Sequence, residues 1–366
     1  MQKILKCSLF PLVILFISHN PFACFAGTES PGWLVSPELL GAGKLKMLWE
    51  NKLPMKSAES LDRLLILGNR IYALSDRNYM VCLNREKGSV IFSRSVAQPG
   101  LPVVGLQLYK DELFSVIGNR LTEIGLEFGT EKNVTPLHLG ITCPPARNSS
   151  FFYVAAVDRR VHALRSNDKV KLFEVAAEND SMITSIIADE NFVIFATDAG
   201  NVISIAPDRP KRLWQFNAAA TIAGPIVRDE KAIFVASKDT NIYKLDIRTG
   251  KLLWKYQTAA MLQKGPQLTQ ETLYQFAHGE GITAIEKETG KFLWQLKEGL
   301  DLLAEDKGKA YVITENSELI VMDNKKAKQL YSINFAPVSR YASNLTDSNI
   351  YIADTTGRIA CLIPAD

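Results

Sequence analysis

The side chains that could carry out chemistry in this chain are few, and their spacing is unlike that of a catalytic or metal site. Beyond the first 26 residues the histidines are His138, His162 and His278, and no pair of them has the short separation of zinc ligands. The sequence contains no Cys-x-x-Cys pair, no Gly-x-Ser-x-Gly nucleophile turn and no glycine-rich phosphate loop. We therefore predict no metal site and no catalytic residues.

Three cysteines lie beyond the N-terminal segment, at Cys82, Cys143 and Cys361. An odd and sparse set of this kind is not a disulfide framework. Cys82 and Cys361 occupy equivalent positions in two repeats of the chain, and the facing sheets of such repeats lie about 10 Å apart. Since a disulfide requires Cα atoms within about 7 Å, we predict that these thiols are free.

An aspartate recurs at the tips of successive hairpins. The five members are Asp76, Asp158, Asp198, Asp239 and Asp354. If these hairpins lie on one face of a closed repeat structure, the five carboxylates could together hold a cation. Short polar side chains at hairpin tips also hydrogen-bond the turn backbone, and this turn chemistry accounts for all five. We predict that they are structural.

The elements that position these residues come from a unit of about 40 residues that recurs eight times. The last apolar residue before a polar turn is Leu83, Ile124, Leu164, Ile205, Leu245, Ile285, Met322 and Leu362, in steps of 41, 40, 41, 40, 40, 37 and 40 residues. Aromatic residues form a second series at Trp49, Phe92, Phe173, Trp214, Trp254, Trp294 and Tyr331, with Val134 as the degenerate member. We predict that these aromatic rings dock adjacent sheets, each burying about 150–250 Å².

Each unit contains four short segments with the alternation of β-strands, separated by polar turns. A 40-residue period built from strands predicts an all-β fold, an eight-bladed β-propeller of four-stranded antiparallel blades. The eighth unit lacks a fourth strand, whereas residues 43–49 form a strand without a hairpin before it. The N-terminal strand should therefore complete the last blade. Residues 100–150 form the weakest sector, because the turn at 126–131 looks displaced and no Trp follows it.

The N-terminus has the layout of a secretory signal peptide, with a basic start, an apolar run over 9–17 and a small-residue stretch that ends at Ala26. Cleavage between Ala26 and Gly27 leaves 366 − 26 = 340 residues. The predicted domains are a signal peptide at 1–26, an N-terminal linker at 27–42 and the propeller at 43–366. We expect an exported monomer.

Charge and hydropathy exclude two classes of function. The chain has 42 Lys and Arg against 39 Asp and Glu, and removal of Lys3 and Lys6 with the signal leaves 40 against 39. This balance, with no basic stripe, predicts that the protein does not bind nucleic acid. No later run reaches the roughly 18 apolar residues of a membrane-spanning helix.

The turn sequence Leu245-Asp-x-x-Thr-Gly-Lys-x-x-Trp254 resembles the repeat of the quinoprotein (PQQ) dehydrogenases and their relatives. The resemblance extends over essentially the whole mature chain and implies a propeller. Quinoprotein dehydrogenases are much longer, with insertions that hold the quinone and a calcium ion and often a pair of adjacent cysteines. This chain has about 40 residues per blade and no adjacent cysteines.

The BamB-type branch of these relatives, propellers of the outer-membrane barrel-assembly machinery, is similar in length and blade number. This resemblance implies a periplasmic protein. Members carry a lipidation box of Leu-small-small-Cys, and its counterpart here ends at Cys24 after Pro21, Phe22 and Ala23. Lipid attachment at Cys24 is therefore the alternative to cleavage after Ala26.

Two functions remain open. The first is an exported, non-enzymatic scaffold that binds protein partners of the cell envelope, in outer-membrane protein assembly, without a cofactor and with membrane contact only through a lipid anchor. The second is a PQQ-dependent dehydrogenase-like oxidoreductase that uses the propeller channel with PQQ and calcium. An acid, an Asn and a base gathered around a flat cavity at one channel mouth would favour the second.

Overall fold

The computed structural model describes residues 32–365, which form eight four-stranded antiparallel sheets. Each sheet is one blade of a propeller, and the predicted eight-bladed all-β fold is confirmed. The helical segments of this range are α1 (Pro37–Ala42) and a 3₁₀ turn (Glu178–Asp180). Within residues 32–365 no helix has the length and apolar character needed to cross a membrane.

The strands follow one another from the inside of each blade to its outer edge, after the N-terminal strand β1 (Leu45–Lys52). Blade 1 contains β2 (Leu61–Leu67), β3 (Arg70–Ser75), β4 (Tyr79–Asn84) and β5 (Val90–Ser95). Blade 2 contains β6 (Val103–Tyr109), β7 (Glu112–Ile117), β8 (Arg120–Ile124) and β9 (Glu131–Pro136). Blade 3 contains β10 (Ala146–Arg147), β11 (Phe151–Ala155), β12 (Arg160–Arg165) and β13 (Lys171–Ala176). Blade 4 contains β14 (Ile183–Ala188), β15 (Val193–Thr197), β16 (Asn201–Ile205) and β17 (Arg212–Asn217).

The second half of the ring repeats this order. Blade 5 contains β18 (Val227–Arg228), β19 (Ala232–Ala236), β20 (Asn241–Asp246) and β21 (Leu252–Gln257). Blade 6 contains β22 (Gln267–Leu268), β23 (Thr272–Ala277), β24 (Gly281–Glu286) and β25 (Phe292–Leu296). Blade 7 contains β26 (Gly299–Asp306), β27 (Lys309–Thr314), β28 (Glu318–Asp323) and β29 (Lys328–Asn334). Blade 8 combines β30 (Arg340–Ala342), β31 (Ile350–Ala353) and β32 (Arg358–Pro364) with β1.

A β-bulge before the turn between third and fourth strands recurs in blades 1 to 7. In blade 5 the register shifts between Lys244 and Leu245, immediately before the apolar residue that marks the repeat. In blade 2 it shifts at the same place, between Glu123 and Ile124. The bulge increases the local twist and turns the chain towards the outer strand. The 40-residue period therefore follows a fixed backbone feature of each blade.

The sector predicted to be weakest, residues 100–150, folds as a regular blade. Gly129 lies five residues after Ile124, as Gly250 does after Leu245. The Gly129 N–H donates to Gly125 O at 2.8 Å, and the Gly250 N–H donates to Asp246 O at 2.9 Å. The expectation of a displaced turn was therefore wrong. This wrong expectation arose because Gly125 occupies the position in blade 2 at which blade 5 has Asp246.

The hydrophobic core is divided into eight clusters, one at each junction between neighbouring blades. The strongest burial is in the second and third strands, where Ala232–Ala236 is buried at every position. Both faces of these strands are covered because each blade packs on two neighbours. The junction of blades 2 and 3 has the smallest cluster, with seven buried residues.

The ring closes as predicted, with β1 as the outer strand of blade 8. β1 pairs antiparallel with β32 from Leu45 opposite Pro364 to Lys52 opposite Arg358. The Ala365 N–H donates to Lys44 O at 2.7 Å at the end of this ladder. Because this outer strand comes from the N-terminus, blade 8 has no turn between its third and fourth strands.

Helix α1 covers the junction of blades 7 and 8, where that turn is missing. Ser36 caps the helix by accepting the Leu39 N–H on its side chain, and Leu40 is buried in the core cluster of this junction. Gly43 ends the helix so close to blade 7 that a Cβ would lie 1.7 Å from Ile333 Cδ1. The described part of the segment predicted as a linker therefore contributes to the core.

We expect deletion of residues 43–53 to cause aggregation or loss of cooperative unfolding. It would expose the edge of β32, whose side chains from Ile359 to Leu362 are fully buried. Size-exclusion chromatography and denaturant titration measure this. Lys46→Ala, at an exposed position of the same strand, is the control and should change the free energy of unfolding by no more than about 0.5 kcal/mol. A monomeric deletion variant of full stability would contradict the closure role.

Candidate functional site at the junction of blades 2 and 3

A regular junction is illustrated by Trp254, which lies between blades 5 and 6. Its ring centroid is 6.0 Å from that of Phe234 in its own blade. On the other side is Gly290 of blade 6, where φ is +74° and a Cβ would approach the indole to 2.8 Å. The indole N–H donates to Lys287 O at 3.1 Å. One ring therefore joins two blades through packing and one hydrogen bond, and only a left-handed glycine permits the close approach.

The other three indoles of the series also donate a hydrogen bond to the next blade, two of them to a backbone carbonyl and Trp294 to a side-chain amide oxygen. Trp49 Nε1 donates to Arg85 O at 3.2 Å, Trp214 Nε1 to Ile247 O at 3.0 Å, and Trp294 Nε1 to Asn324 Oδ1 at 2.8 Å. A Cβ on Gly88 or Gly250 would collide with the ring of Trp49 or Trp214, as at Gly290. The contact between an indole and the turn of the next blade is therefore repeated around the propeller.

The remaining three members of the series also lie at junctions. Phe92 covers Gly129, where a Cβ would lie 2.3 Å from the ring. Phe173 packs in the cluster between blades 3 and 4, with its ring 6.4 Å from that of Phe151. Tyr331 is half-buried against the cluster between blades 7 and 8. These three rings have no N–H to donate, so packing alone places them.

A second aromatic series, on the second strand of every blade except blade 4, which has Ile194 there, was missed by the sequence analysis. Its members are Tyr72, Phe114, Tyr153, Phe234, Tyr274, Tyr311 and Tyr351, each paired with the residue before the bulge. All seven are almost completely buried. Several support the docking rings directly, as Tyr274 does for Trp294 at 5.9 Å between centroids. The signal was present in the sequence as a further period near 40.

The junction of blades 2 and 3 replaces the docking unit with an ion pair. The prediction that Val134 is the degenerate member of the aromatic series was wrong by one residue. Asn133 stands at the position of the tryptophan, because it pairs with Glu123, the residue before the bulge, as Trp254 pairs with Lys244. Lys169 stands at the glycine position, with φ +59°, and its N–H donates to Arg165 O at 2.9 Å as in the regular turn. Its Nζ lies 2.6 Å from Glu123 Oε1 and 5.0 Å from the centroid of Phe152. The lysine side chain thus occupies space that a ring fills elsewhere.

A cavity of about 330 Å³ remains at this junction. Its apolar wall is formed by Leu137, Leu139, Ile141, Val154, Ala156 and Leu164. Thr135 also lines it, at the position where blade 4 has Phe216, whose ring packs 5.1 Å from Tyr243 of blade 5. Because blade 2 carries neither the tryptophan nor the second aromatic ring, the junction is incompletely filled.

His162 lies on the wall of this cavity and is held by two carboxylates. Its Nε2 is 2.9 Å from Asp158 Oδ2, and its Nδ1 is 3.5 Å from Glu174 Oε2. Glu174 also contacts Lys171, at 2.8 Å, and Arg160. A carboxylate-held imidazole can position a ligand or exchange a proton. His138 lines the same cavity, whereas His278 is an exposed residue of blade 6.

Three of the hairpin-tip aspartates bind backbone N–H groups of the chain segment that leads into the innermost strand of the same blade. Asp76 Oδ1 accepts the Ser60 N–H at 3.0 Å, Asp198 Oδ1 the Met182 N–H at 2.9 Å, and Asp239 Oδ2 the Ala219 N–H at 2.9 Å. Asp158 contacts His162, and Asp354 accepts the Arg358 N–H. No group of three or more His, Cys, Asp or Glu side chains within residues 32–365 has the geometry of a metal site.

The three cysteines of the described range are free and buried. Burial raises the pKa of the Cys143 and Cys361 thiols to about 12. At neutral pH these two thiols are therefore protonated and poorly nucleophilic.

Asp301, on the innermost strand of blade 7, is a partly buried acid. Burial raises the pKa of its carboxyl group, while the charge of Lys264 opposes the shift and Tyr341 hydrogen-bonds the carboxylate. The amide of Gln267 is engaged by both backbone groups of Leu302, at 3.1 and 3.2 Å. Calcium needs six to eight oxygen ligands, including ionised carboxylates. A single carboxyl with a raised pKa does not fit the calcium and quinone pair of a dehydrogenase.

These features define a β-propeller whose blades are joined by docked aromatic rings, and the family comparison agrees. Residues 198–326 match the family model described as "Outer membrane protein assembly factor BamB". Over this segment the chain carries the PQQ-like repeat of the BamB type, and the predicted resemblance is confirmed. By sequence, no curated protein matches the chain.

Solved structures share the fold at low identity. BamB from Moraxella catarrhalis is 13% identical, with a TM-score of 0.67 over 87% of this chain and 97% of its own. The computationally designed protein Ika8 is 14% identical, with a TM-score of 0.65 over 85% of this chain and 98% of its own. The C-terminal WD40 domain of Sif2 is 10% identical, with a TM-score of 0.63 over 87% and 98%. At these identities the likeness establishes the propeller fold alone.

We expect Trp254→Ala to lower the free energy of unfolding by roughly 3–5 kcal/mol, because it removes a ring that joins two blades and leaves a cavity. Trp254→Phe keeps most of the ring and loses the hydrogen bond to Lys287, at a cost of about 1 kcal/mol beyond lost packing. Denaturant titration measures both. The control is Leu253→Ala, since Leu253 is 49% exposed. A loss below about 1 kcal/mol for Trp254→Ala would show that the ring does not support the junction.

We expect Glu123 and Lys169 to be energetically coupled, because both side chains are nearly nine-tenths buried. A double-mutant cycle of Glu123→Gln and Lys169→Met should give a coupling energy of about 1–3 kcal/mol. The exposed pair Lys171 and Glu174 provides the reference and should give about 0.2–1 kcal/mol. Equal coupling in the two pairs would mean that the ion pair does not replace the docking unit.

Proposed function

We propose that this chain is an exported, non-enzymatic scaffold that binds proteins of the cell envelope and takes part in outer-membrane protein assembly. The match to a family described as an outer-membrane assembly factor supports the class of process. The likeness to BamB supports the fold on which such binding would take place. The proposal includes an extracytoplasmic location and a monomeric ring.

The observation that carries the proposal is a set of exposed apolar side chains on the outer strands. Each immediately precedes a docking aromatic and is 37–49% exposed. The members are Leu48, Ile91, Leu172, Leu213 and Leu253. The outer strand of each blade also has a hydrogen-bonded neighbour on one side only, so its other backbone edge can accept a strand from a partner. Apolar side chains beside a free strand edge favour protein binding.

Export is part of the proposal, and the predicted processing sites lie outside the described residues. Cleavage between Ala26 and Gly27 would give a soluble envelope protein, whereas lipid attachment at Cys24 would hold the ring at a membrane. Intact mass spectrometry of the mature protein separates these forms, because a lipidated Cys24 adds the mass of its acyl chains. A protein that still begins at Met1 would contradict export.

We further propose that the scaffold works without a cofactor, because the surroundings of Asp301 do not fit a calcium-bound quinone. Calorimetry with pyrroloquinoline quinone and calcium should therefore detect no binding. Micromolar binding with dye-linked oxidation of an alcohol or sugar would favour the oxidoreductase alternative.

We expect a photo-crosslinker at Leu213 or Leu253, introduced in cells of the source organism, to give defined products with envelope proteins. Both side chains are exposed on outer strands, where a partner strand would contact them. Mass spectrometry identifies the partner. The control is the same crosslinker at Glu230, an exposed residue of the turn between β18 and β19. If outer-strand positions give no more product than Glu230, the scaffold proposal fails.

A further inference from the structure

The cavity between blades 2 and 3 lies at a position of the repeat that an aromatic side chain fills at a regular junction. In blade 4, Phe216 packs edge-on against Tyr243 of blade 5 with the ring centroids 5.1 Å apart. In blade 2 the corresponding residue is Thr135, and His162 stands where blade 5 has Tyr243. Comparison with the regular junction therefore indicates that the junction of blades 2 and 3 lacks a flat ring beside the His162 side chain.

The charge of the lining restricts the occupant further. The ionisable side chains that line the cavity are His138, His162, Lys169 and Lys171, and all of them are bases. Asp158 and Glu174 contact His162 but are not among the lining residues. Lys171 is 53% exposed and reaches the mouth of the cavity. An occupant with negative charge next to its ring would complement this lining.

Two exposed apolar side chains are next in the chain to residues that line the cavity. Val170, between the two lining lysines, is 50% exposed, and Val157, which packs against the Gly140 segment, is 54% exposed. The volume of about 330 Å³ is at the lower end of the range of ligand pockets, which suits one large side chain better than a cofactor. Aromatic anchors in such pockets dominate the binding energy of many protein interfaces.

We propose that this cavity receives an aromatic side chain of a partner protein, from a segment in which an acidic residue lies next to the aromatic one. The ring would complete the junction as Phe216 does between blades 4 and 5. Lys171 and the two histidines would meet the acidic group. This inference names the anchor of a partner and rests on the proposed scaffold function, but the cavity itself can be tested on the purified protein.

The test uses N-acetyl-tryptophan, which carries a carboxylate, and N-acetyl-tryptophanamide, which does not. We expect the carboxylate to bind with a Kd of about 0.1–1 mM, as the size of the ligand allows. The amide should bind several-fold more weakly. In NMR spectra the carboxylate should shift the imidazole signals of His138 and His162 and leave those of His278 in blade 6 unchanged.

Thr135→Phe fills the cavity from within and should weaken binding of N-acetyl-tryptophan by at least about tenfold. Val90→Phe adds the same ring to an exposed position of β5 and should leave binding unchanged. Lys171→Glu should abolish the preference for the carboxylate over the amide.

Several results would overturn the inference. They are binding that leaves both cavity histidines unshifted, equal binding of the carboxylate and the amide, and undiminished binding to a folded Thr135→Phe variant. The histidine shifts in the unmodified protein decide the matter even if that variant does not fold. Failure of crosslinking at the outer strands would contradict the scaffold proposal without altering these binding results. Failure of the scaffold proposal can therefore be distinguished from failure of the inference about the cavity.

Discussion

Burial of a flat aromatic ring against a left-handed turn of the next blade is the interaction on which the ring structure depends. A single twisted sheet cannot bury both of its faces, so each blade requires two neighbours. Trp254 supplies apolar area to two blades and directs its N–H to a carbonyl of the second. The turn backbone can approach the indole only because Gly290 has no Cβ and adopts a positive φ. One glycine and one aromatic residue, 36 positions apart, therefore form a single functional pair.

The junction of blades 2 and 3 shows what happens when both members of that pair are lost. Lys169 keeps the left-handed turn conformation, and its side chain pairs with Glu123 in the space that an indole would fill. The ion pair preserves the joint between the blades but leaves a basic-lined cavity with His162 on its wall. At this junction a departure from the repeat left a cavity at the position that an aromatic ring fills elsewhere. The ionisable side chains that line this cavity are bases. Deviation from internal symmetry was the most informative guide to a candidate site.

Much of the fold could be predicted from the sequence because the repeat is encoded locally. Apolar alternation, turn residues and the spacing of Leu245 and its equivalents gave the blade number and the closing role of the N-terminal strand. The errors arose where a substitution hid the repeat. Gly125 in place of an aspartate made a regular turn look displaced, and the second-strand aromatics were hidden among other apolar strand residues. The loss of the aromatic residue in blade 2 was recognised, but it was assigned to Val134, whereas the strand register places Asn133 at that position.

The sequence by itself determined the architecture, since period, strand pattern and turn chemistry are properties of neighbouring residues. Only the tertiary structure decided which distant residues meet. Asn133, Lys169 and Glu123 lie in two different blades, and no local rule relates an asparagine on one outer strand to a lysine in the turn of the next blade. The cavity beside His162 likewise arises because the side chains do not fill the space that the two blades enclose. An unfilled space of this kind forms only when the two blades pack against each other.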